Sequence, residues 1–199
     1  MEPQFDFAPA ARTLATVVAG IADDQLTAPT PCVETTVGTL LSHVVGLTEA
    51  FRQAATKESD GRSAPPSLDD PLPADWRTLI PAQLDALTVA WRAPEAWDGD
   101  AEAGGVVLPA AVMAMVALDE VTIHAWDLAV ATGQSVSVDP GYLPILHEFL
   151  RDTDPSGTPG LFGPVVAVPD DAPAFERLLG LTGRDPRWQA TVNAADPRV

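Results

Sequence analysis

Three residues of this 199-residue chain, His43, Glu120 and His124, have types and spacing that could hold a metal ion. Glu120 and His124 are four residues apart, so on an α-helix they lie one turn apart on the same face. The rest of that face is apolar, with Met113, Val116, Ile123 and Ala131. A carboxylate buried in such a face without a partner is strongly unfavourable, and a divalent cation between the two side chains would compensate it.

A third ligand has to come from another segment, and His43 is the candidate among only three histidines in the chain. It lies at the edge of the apolar stripe of another predicted helix. Two imidazoles and one carboxylate leave a coordination position open, which is typical of catalytic rather than structural sites. Zinc is the first expectation for this ligand set, with nickel, iron and manganese as alternatives.

The same residues also have a simpler interpretation. Glu120 and His124 could be a helix-stabilising pair on the surface, and His43 a hydrogen-bonded histidine of the core. Asp127, one turn beyond His124, could orient an imidazole or pair with an arginine.

Two further residues could carry chemistry but have plainer explanations. His147 lies beside Glu148 and Arg151, which indicates a solvated surface position. Cys32 precedes a predicted helix, whose N-terminus could make its thiol reactive. A buried structural cysteine is the interpretation we favour.

Four long predicted helices position the candidate ligands. Apolar periodicity predicts helices over residues 8–21, from Thr35 or Thr36 to residue 56, and over residues 74–91. Pro81 indicates either a kink or a late start in the third helix. The fourth helix is apolar nearly all round, begins at Pro109 and stops at Gly133. The second and fourth helices, which carry the three ligands, are expected to face each other in a bundle.

Shorter elements complete the prediction. A hairpin or loop is expected over residues 97–108. A fifth helix is expected with Asp139 as its N-cap and Pro140 as its first residue. A strand over residues 165–168 and a last helix over residues 174–181 are expected to follow. Residues 58–73 read as a surface connection, and the tail after residue 185 as loose. Residues 1–155 would form the bundle, and residues 156–199 an appendage packed on it without being an independent domain.

The net charge of −17, from 28 acidic and 11 basic residues, argues against nucleic acid and anionic membranes as partners. The single cysteine cannot form an intramolecular disulfide. No signal-peptide pattern opens the chain, and no apolar run approaches the length of a membrane span. Together these features favour the cytoplasm.

Two long motifs resemble a known family. Residues 30–44 (TPCVETTVGTLLSHV) and 117–133 (ALDEVTIHAWDLAVATG) are similar to T-P-C-P-E-W-T-V-x-x-L-L-x-H-L and L-x-E-x-x-x-H-x-W-D-L-A-x-A-T-G of the mycothiol-dependent maleylpyruvate isomerase-like proteins, in the DinB-like superfamily. The resemblance implies an all-α, up-down-down-up four-helix bundle with a short C-terminal appendage. It also implies a divalent metal held, by position, by His43, Glu120 and His124.

The chain departs from that family at Val33 and Thr35, where proline and tryptophan are usual. The C-terminal domain of the isomerase cannot be matched onto it, so maleylpyruvate isomerisation is not expected.

We expect instead a metal-dependent thiol S-transferase or related detoxifying enzyme that joins a small-molecule thiol, mycothiol, to an electrophile. The alternative is a non-catalytic metal- or small-molecule-binding bundle. A hydrolase with Glu120 as base is weaker because Glu120 already serves as a ligand. Apolar faces left outside the core would allow a homodimer.

Overall fold

Helices make up most of the computed structural model, which describes residues 2–58, 70–158 and 162–190. In chain order the elements are α1 (Ala8–Ala19), α2 (Val37–Thr56), α3 (Trp76–Trp91), β1 (Asp100–Ala103), β2 (Val106–Pro109), α4 (Ala110–Ala131), α5 (Tyr142–Leu150) and α6 (Ala174–Leu181). The two strands form an antiparallel hairpin. The predicted helical class and the predicted hairpin are both confirmed.

Helices α1 to α4 pack around one apolar core. α2 contacts both α3 and α4, and α1 contacts the same two helices from the other side. Their inward side chains are fully buried, among them Leu14, Val18, Leu40, Leu41, Leu84, Leu87, Leu118 and Val121. The two helices that carry the candidate ligands are therefore neighbours, as predicted.

Local signals set the ends of these two helices. Thr36 caps α2, because its hydroxyl oxygen accepts a hydrogen bond from the Thr39 N–H at 3.2 Å. α4 ends at Ala131, and Gly133, two residues further on, has a left-handed φ of 72°. The next residue, Gln134, donates its N–H to the Ala129 carbonyl at 2.8 Å, which closes the last turn.

Two predicted helix starts are wrong by one or two residues. Pro109 pairs with Asp100 in the hairpin, so α4 begins only at Ala110. Asp139 does not cap α5. Its side chain instead accepts from the Gly141 N–H at 2.8 Å, forming a turn from which α5 begins at Tyr142.

Other predictions are corrected near α3 and α6. Pro81 lies inside α3, which begins at Trp76, so the late start is wrong. Residues 165–168 are not a strand, since no second strand pairs with them in the described ranges. Val166 instead donates its N–H to the Gly180 carbonyl of α6 at 2.9 Å. A Cβ on Gly180 would lie 2.6 Å from the Val166 oxygen, so glycine permits this close approach.

Some predictions fall on parts of the chain outside the described ranges. Most of the surface connection over residues 58–73, and the end of the tail, lie there. The boundary between a bundle and an appendage at residue 155 stays a prediction. None of the described helices has both the length and the hydropathy that crossing a membrane requires.

The left-handed backbone at Gly133 gives a test of the fold. Gly133→Ala should lower the free energy of unfolding by about 1–2 kcal/mol, because a Cβ disfavours this conformation. Gly163→Ala is the matched control, since its backbone is not left-handed and nothing lies within 4 Å of an added Cβ. Chemical denaturation measures both variants. Equal stabilities would contradict this account of the α4 terminus.

Candidate metal centre

The three predicted ligands meet where α2 packs on α4. One ligand atom from each of His43, Glu120 and His124 can be chosen so that all lie within 4.8 Å of one another. Glu120 Oε2 lies 2.9 Å from His124 Nε2 and 3.6 Å from His43 Nε2. The two rings are perpendicular, with centroids 5.2 Å apart. Two elements distant in the chain thus bring the trio together.

The arrangement fits a cation better than a hydrogen-bonded cluster. Glu120 Oε2 is buried, yet it has no hydrogen-bond partner within the described ranges. His124 Nε2 lies only 2.9 Å from this oxygen, but it does not direct an N–H at it, so the contact is not a hydrogen bond. A carboxylate oxygen and two imidazole nitrogens facing one small space are the donor set that zinc and other divalent transition metals prefer.

Burial rules out the solvated surface pair. The side chains of His43, Glu120 and His124 are 22%, 15% and 7% exposed. Burial by itself would raise the pKa of Glu120, but the adjacent imidazoles hold it well below its usual range. Burial by itself would lower the pKa of His124, but the carboxylates of Glu120 and Asp127 raise it to about 10. These opposite shifts favour a charged Glu120 carboxylate beside a protonated His124 imidazole when no metal is bound.

A second layer of contacts fixes the His124 ring. His124 Nδ1 lies 3.0 Å from Asp127 Oδ2. Asp127 has no exposed surface, and Arg184 donates to the same oxygen at 3.0 Å. Asp127 therefore has both roles that the sequence suggested, because it contacts the His124 imidazole and pairs with an arginine. With Nδ1 protonated toward Asp127, His124 presents the lone pair of Nε2 to the centre.

Arg184, in the segment after α6, was not identified from the sequence. It is 8% exposed, and a further N–H of its guanidinium donates to the Thr182 carbonyl at 2.7 Å. Burial would lower the pKa of this guanidinium, but the Asp127 carboxylate raises it. One indication of this residue was present in the sequence, namely that a buried Asp127 would need a cationic partner. That need does not identify which of the ten arginines is the partner.

Asp119 was also missed, although it directly precedes Glu120. It is 2% exposed, and its Oδ1 has no hydrogen-bond partner in the described chain. Burial, followed by the charge of Glu120, raises its pKa to about 8. It lines a small cavity, which encloses about 10 Å³, together with Glu120, Ile123, His124, Phe162 and Arg184. The cavity therefore reaches two of the three candidate ligands.

The other two candidate residues, His147 and Cys32, are not among the converging ligand atoms. His147 is half-buried rather than solvated, and its Nε2 lies 2.9 Å from the Ala174 carbonyl, which joins α5 to α6. Cys32 is half-buried rather than buried, because the turn before α2 places it beside the exposed Val33. In the same loop the hydroxyls of Thr30 and Thr35 bond to each other at 2.7 Å.

Comparison with known proteins gives a family and a fold for the chain. The family described as the mycothiol maleylpyruvate isomerase N-terminal domain matches residues 7–129, more than half of the chain. Two uncharacterized proteins of Mycobacterium tuberculosis, from strains CDC 1551 and H37Rv, are each 34% identical over 143 residues. Each match covers 70% of this chain and 72% of the relative.

Solved structures share the fold. The crystal structure of the mycothiol-dependent maleylpyruvate isomerase superposes with a TM-score of 0.56 at 18% identity. That match covers 72% of this chain but only 66% of the isomerase, slightly less than two thirds of its length. A histidine-to-alanine mutant of the isomerase superposes equally well, at 17% identity. The predicted DinB-like fold class is confirmed.

The raised pKa of His124 predicts how metal affinity depends on pH. At neutral pH the metal-free imidazole holds a proton that a metal must displace, so metal affinity should rise with pH up to the pKa of about 10. We expect about a tenfold gain per pH unit from about pH 6 to about pH 8. Competition with a chelator of known pH dependence measures it, with His147→Ala as the control of unchanged slope. A flat profile would show that His124 gives up no proton on binding.

The contact between Asp127 and His124 predicts a second effect. Asp127→Asn should weaken metal binding about 10- to 100-fold, because the ring loses the acceptor that fixes its orientation. Asp185→Asn is the matched control, since Asp185 directly follows Arg184 and its side chain, within the described residues, pairs with the exposed Arg187. Calorimetric titration of folded protein with zinc compares them. Similar zinc affinities for both variants would contradict a role of Asp127 in the metal centre.

Proposed function

Because the chain belongs to the family of the mycothiol maleylpyruvate isomerase N-terminal domain, we propose that it is a divalent-metal-dependent thiol S-transferase. Mycothiol is the proposed thiol, and a small electrophile the second substrate. The observation that carries the proposal is the convergence of His43, Glu120 and His124 beside a cavity. Membership in a mycothiol-associated family supports the choice of thiol.

His43 and His124 would hold the ion through imidazole nitrogens, and Glu120 through its carboxylate. When bound, a divalent ion with an open position supplies the positive charge that converts a coordinating thiol into a thiolate at neutral pH. Zinc is the proposed ion, since two nitrogens and one oxygen are common in its catalytic sites.

The other residues of the centre orient and shield the reacting groups. Asp127 keeps the Nδ1 proton of His124 away from the cavity, and Arg184 neutralises the charge of Asp127. Ile123 and Phe162 form the apolar part of the cavity wall. An apolar wall excludes water that would compete with the thiol for the electrophile.

The proposed reaction needs no oxidant or reductant. The thiol sulfur forms a bond to an electrophilic carbon, and the electron pair of the broken bond leaves with the leaving group or moves to the adjacent carbon. The thiol proton ends on that group or in solvent. Maleylpyruvate isomerisation is not part of the proposal, because the match covers only 66% of the isomerase chain.

A second candidate function is a non-catalytic metal-binding bundle. The observation in its favour is the size of the cavity, which encloses about 10 Å³, enough for about one water molecule and too little for two substrates. In that case the same three side chains would bind the ion without turnover.

The test combines metal analysis with a conjugation assay. Purified wild-type protein and His147→Ala should bind about one equivalent of zinc, whereas His43→Ala should bind it at least about tenfold more weakly. Mycothiol and a generic electrophile should then be conjugated by metal-loaded protein, and not after chelation. Zinc binding without turnover across a panel of electrophiles would favour the second candidate. A wild type that binds no divalent metal would contradict both.

A further inference from the structure

The cavity beside the candidate metal centre is narrowed by a segment that lies far from α4 in the chain. Phe162 and Arg184 line one side of it, and the other side consists of four residues of α4, Asp119, Glu120, Ile123 and His124. The enclosed volume is about 10 Å³, room for about one water molecule. Glu120 Oε2, the oxygen nearest to both imidazoles, is itself buried. A hydrated divalent ion or a thiol therefore needs a wider opening than this arrangement gives.

Residues 162–184, which we call the strap, are bonded to one another. Val166 donates its N–H to the Gly180 carbonyl at 2.9 Å, which ties the first part of the strap to α6. The two ends of the strap meet, because a Cβ on Gly183 would lie 2.9 Å from the backbone of Gly163. The left-handed φ of 80° at Gly183 also favours glycine there. The strap can therefore move as one unit and carry both of its cavity-lining residues with it.

An ion pair joins the strap to α4. Arg184 donates to Asp127 Oδ2 at 3.0 Å, and the two side chains are 9% and 0% exposed. A buried pair of this kind stabilises little relative to the two solvated ions, whereas removal of one partner alone is strongly unfavourable. An opening that carries Arg184 away from Asp127 would let water reach both charges. The pair can therefore separate without leaving either charge buried and unpaired.

The other side of the strap rests on α5. The helix α6 packs on α5, and the Ala174 carbonyl lies 2.9 Å from His147 Nε2. This contact is distant from the cavity and involves neither Arg184 nor Asp127. The strap can therefore stay attached to α5 while its Arg184 end leaves α4, which is the geometry of a hinged closure.

We propose that the strap is a gate over the candidate metal centre and that Arg184 is its latch. The structure shows the closed state, with room for one water beside the ligands. A hydrated ion, and then the thiol and electrophile of the proposed function, enter when Arg184 leaves Asp127. The gate rests on the metal site of the proposed function but not on its thiol chemistry. It also explains how a cavity of this size could serve an enzyme with two substrates.

Metal kinetics test the gate without any turnover. The strap would close over the loaded centre as it does over the empty one, so the rate constants for metal entry and release both scale with the open fraction, and the dissociation constant does not. Full-length protein is mixed with cobalt(II) in a stopped-flow instrument, and the visible absorption of the bound ion gives the entry rate. Mixing of cobalt-loaded protein with excess EDTA gives the release rate, and an equilibrium titration gives the dissociation constant.

Two variants should loosen the gate. Phe162→Ala removes an apolar contact of the closed state, and Arg184→Lys keeps a positive charge beside Asp127 but loses the planar fork. Each should raise both rate constants about tenfold and change the dissociation constant less than about threefold. Phe5→Ala and Arg187→Lys are the matched controls, because Phe5 packs on Trp97 away from the cavity and Arg187 is exposed. Both controls should keep the wild-type rates.

The failures are distinguishable. Faster release without faster entry would mean a weakened metal site rather than an opened gate, and would overturn the role of the strap. Wild-type rates in Phe162→Ala and Arg184→Lys would overturn it as well, and would leave the proposed thiol chemistry intact. If one of these variants does not fold, the other decides alone. If wild-type protein binds no cobalt, the proposed function fails, and the gate fails with it.

Discussion

The structure depends on one unfavourable placement, a glutamate oxygen held between two imidazoles inside a helical bundle. Glu120 Oε2 is buried without a directed hydrogen bond, although His124 Nε2 lies only 2.9 Å away. A carboxylate in such a place is stable only if a positive charge accompanies it. The raised pKa of His124 favours an imidazolium as that charge in the metal-free protein, and the proposed divalent ion would replace it.

The rest of the molecule keeps this placement rigid. α4 is the most buried of the long helices, with polar side chains (Asp119, Thr122, His124 and Asp127) among its buried residues. Asp127 orients the His124 ring, and Arg184 reaches back from beyond α6 to pair with Asp127. The close approach of Gly180 to Val166 places the segment that carries Arg184. The C-terminal segment therefore contacts the candidate centre through Arg184.

The sequence was sufficient for the parts set by local patterns. Apolar periodicity located the four long helices, Thr35 or Thr36 and Gly133 indicated two of their ends, and the spacing of Glu120 and His124 identified two of the three candidate ligands. The sequence was not sufficient where a contact with another segment determines the local structure. Pro109 looks like a helix start until its pairing with Asp100 is known, and residues 165–168 look like a strand until they pack on α6. Arg184 carries no local signal, because its partner lies 57 residues earlier.

The central claim is that two imidazoles and one carboxylate from α2 and α4 hold a single ion. X-ray absorption at the metal edge of zinc-loaded protein tests it most directly, since imidazole rings give a characteristic multiple-scattering pattern. The account predicts a nitrogen and oxygen shell with two imidazoles in wild type and one in His43→Ala. A shell without imidazole, or the same two rings in both proteins, would contradict it.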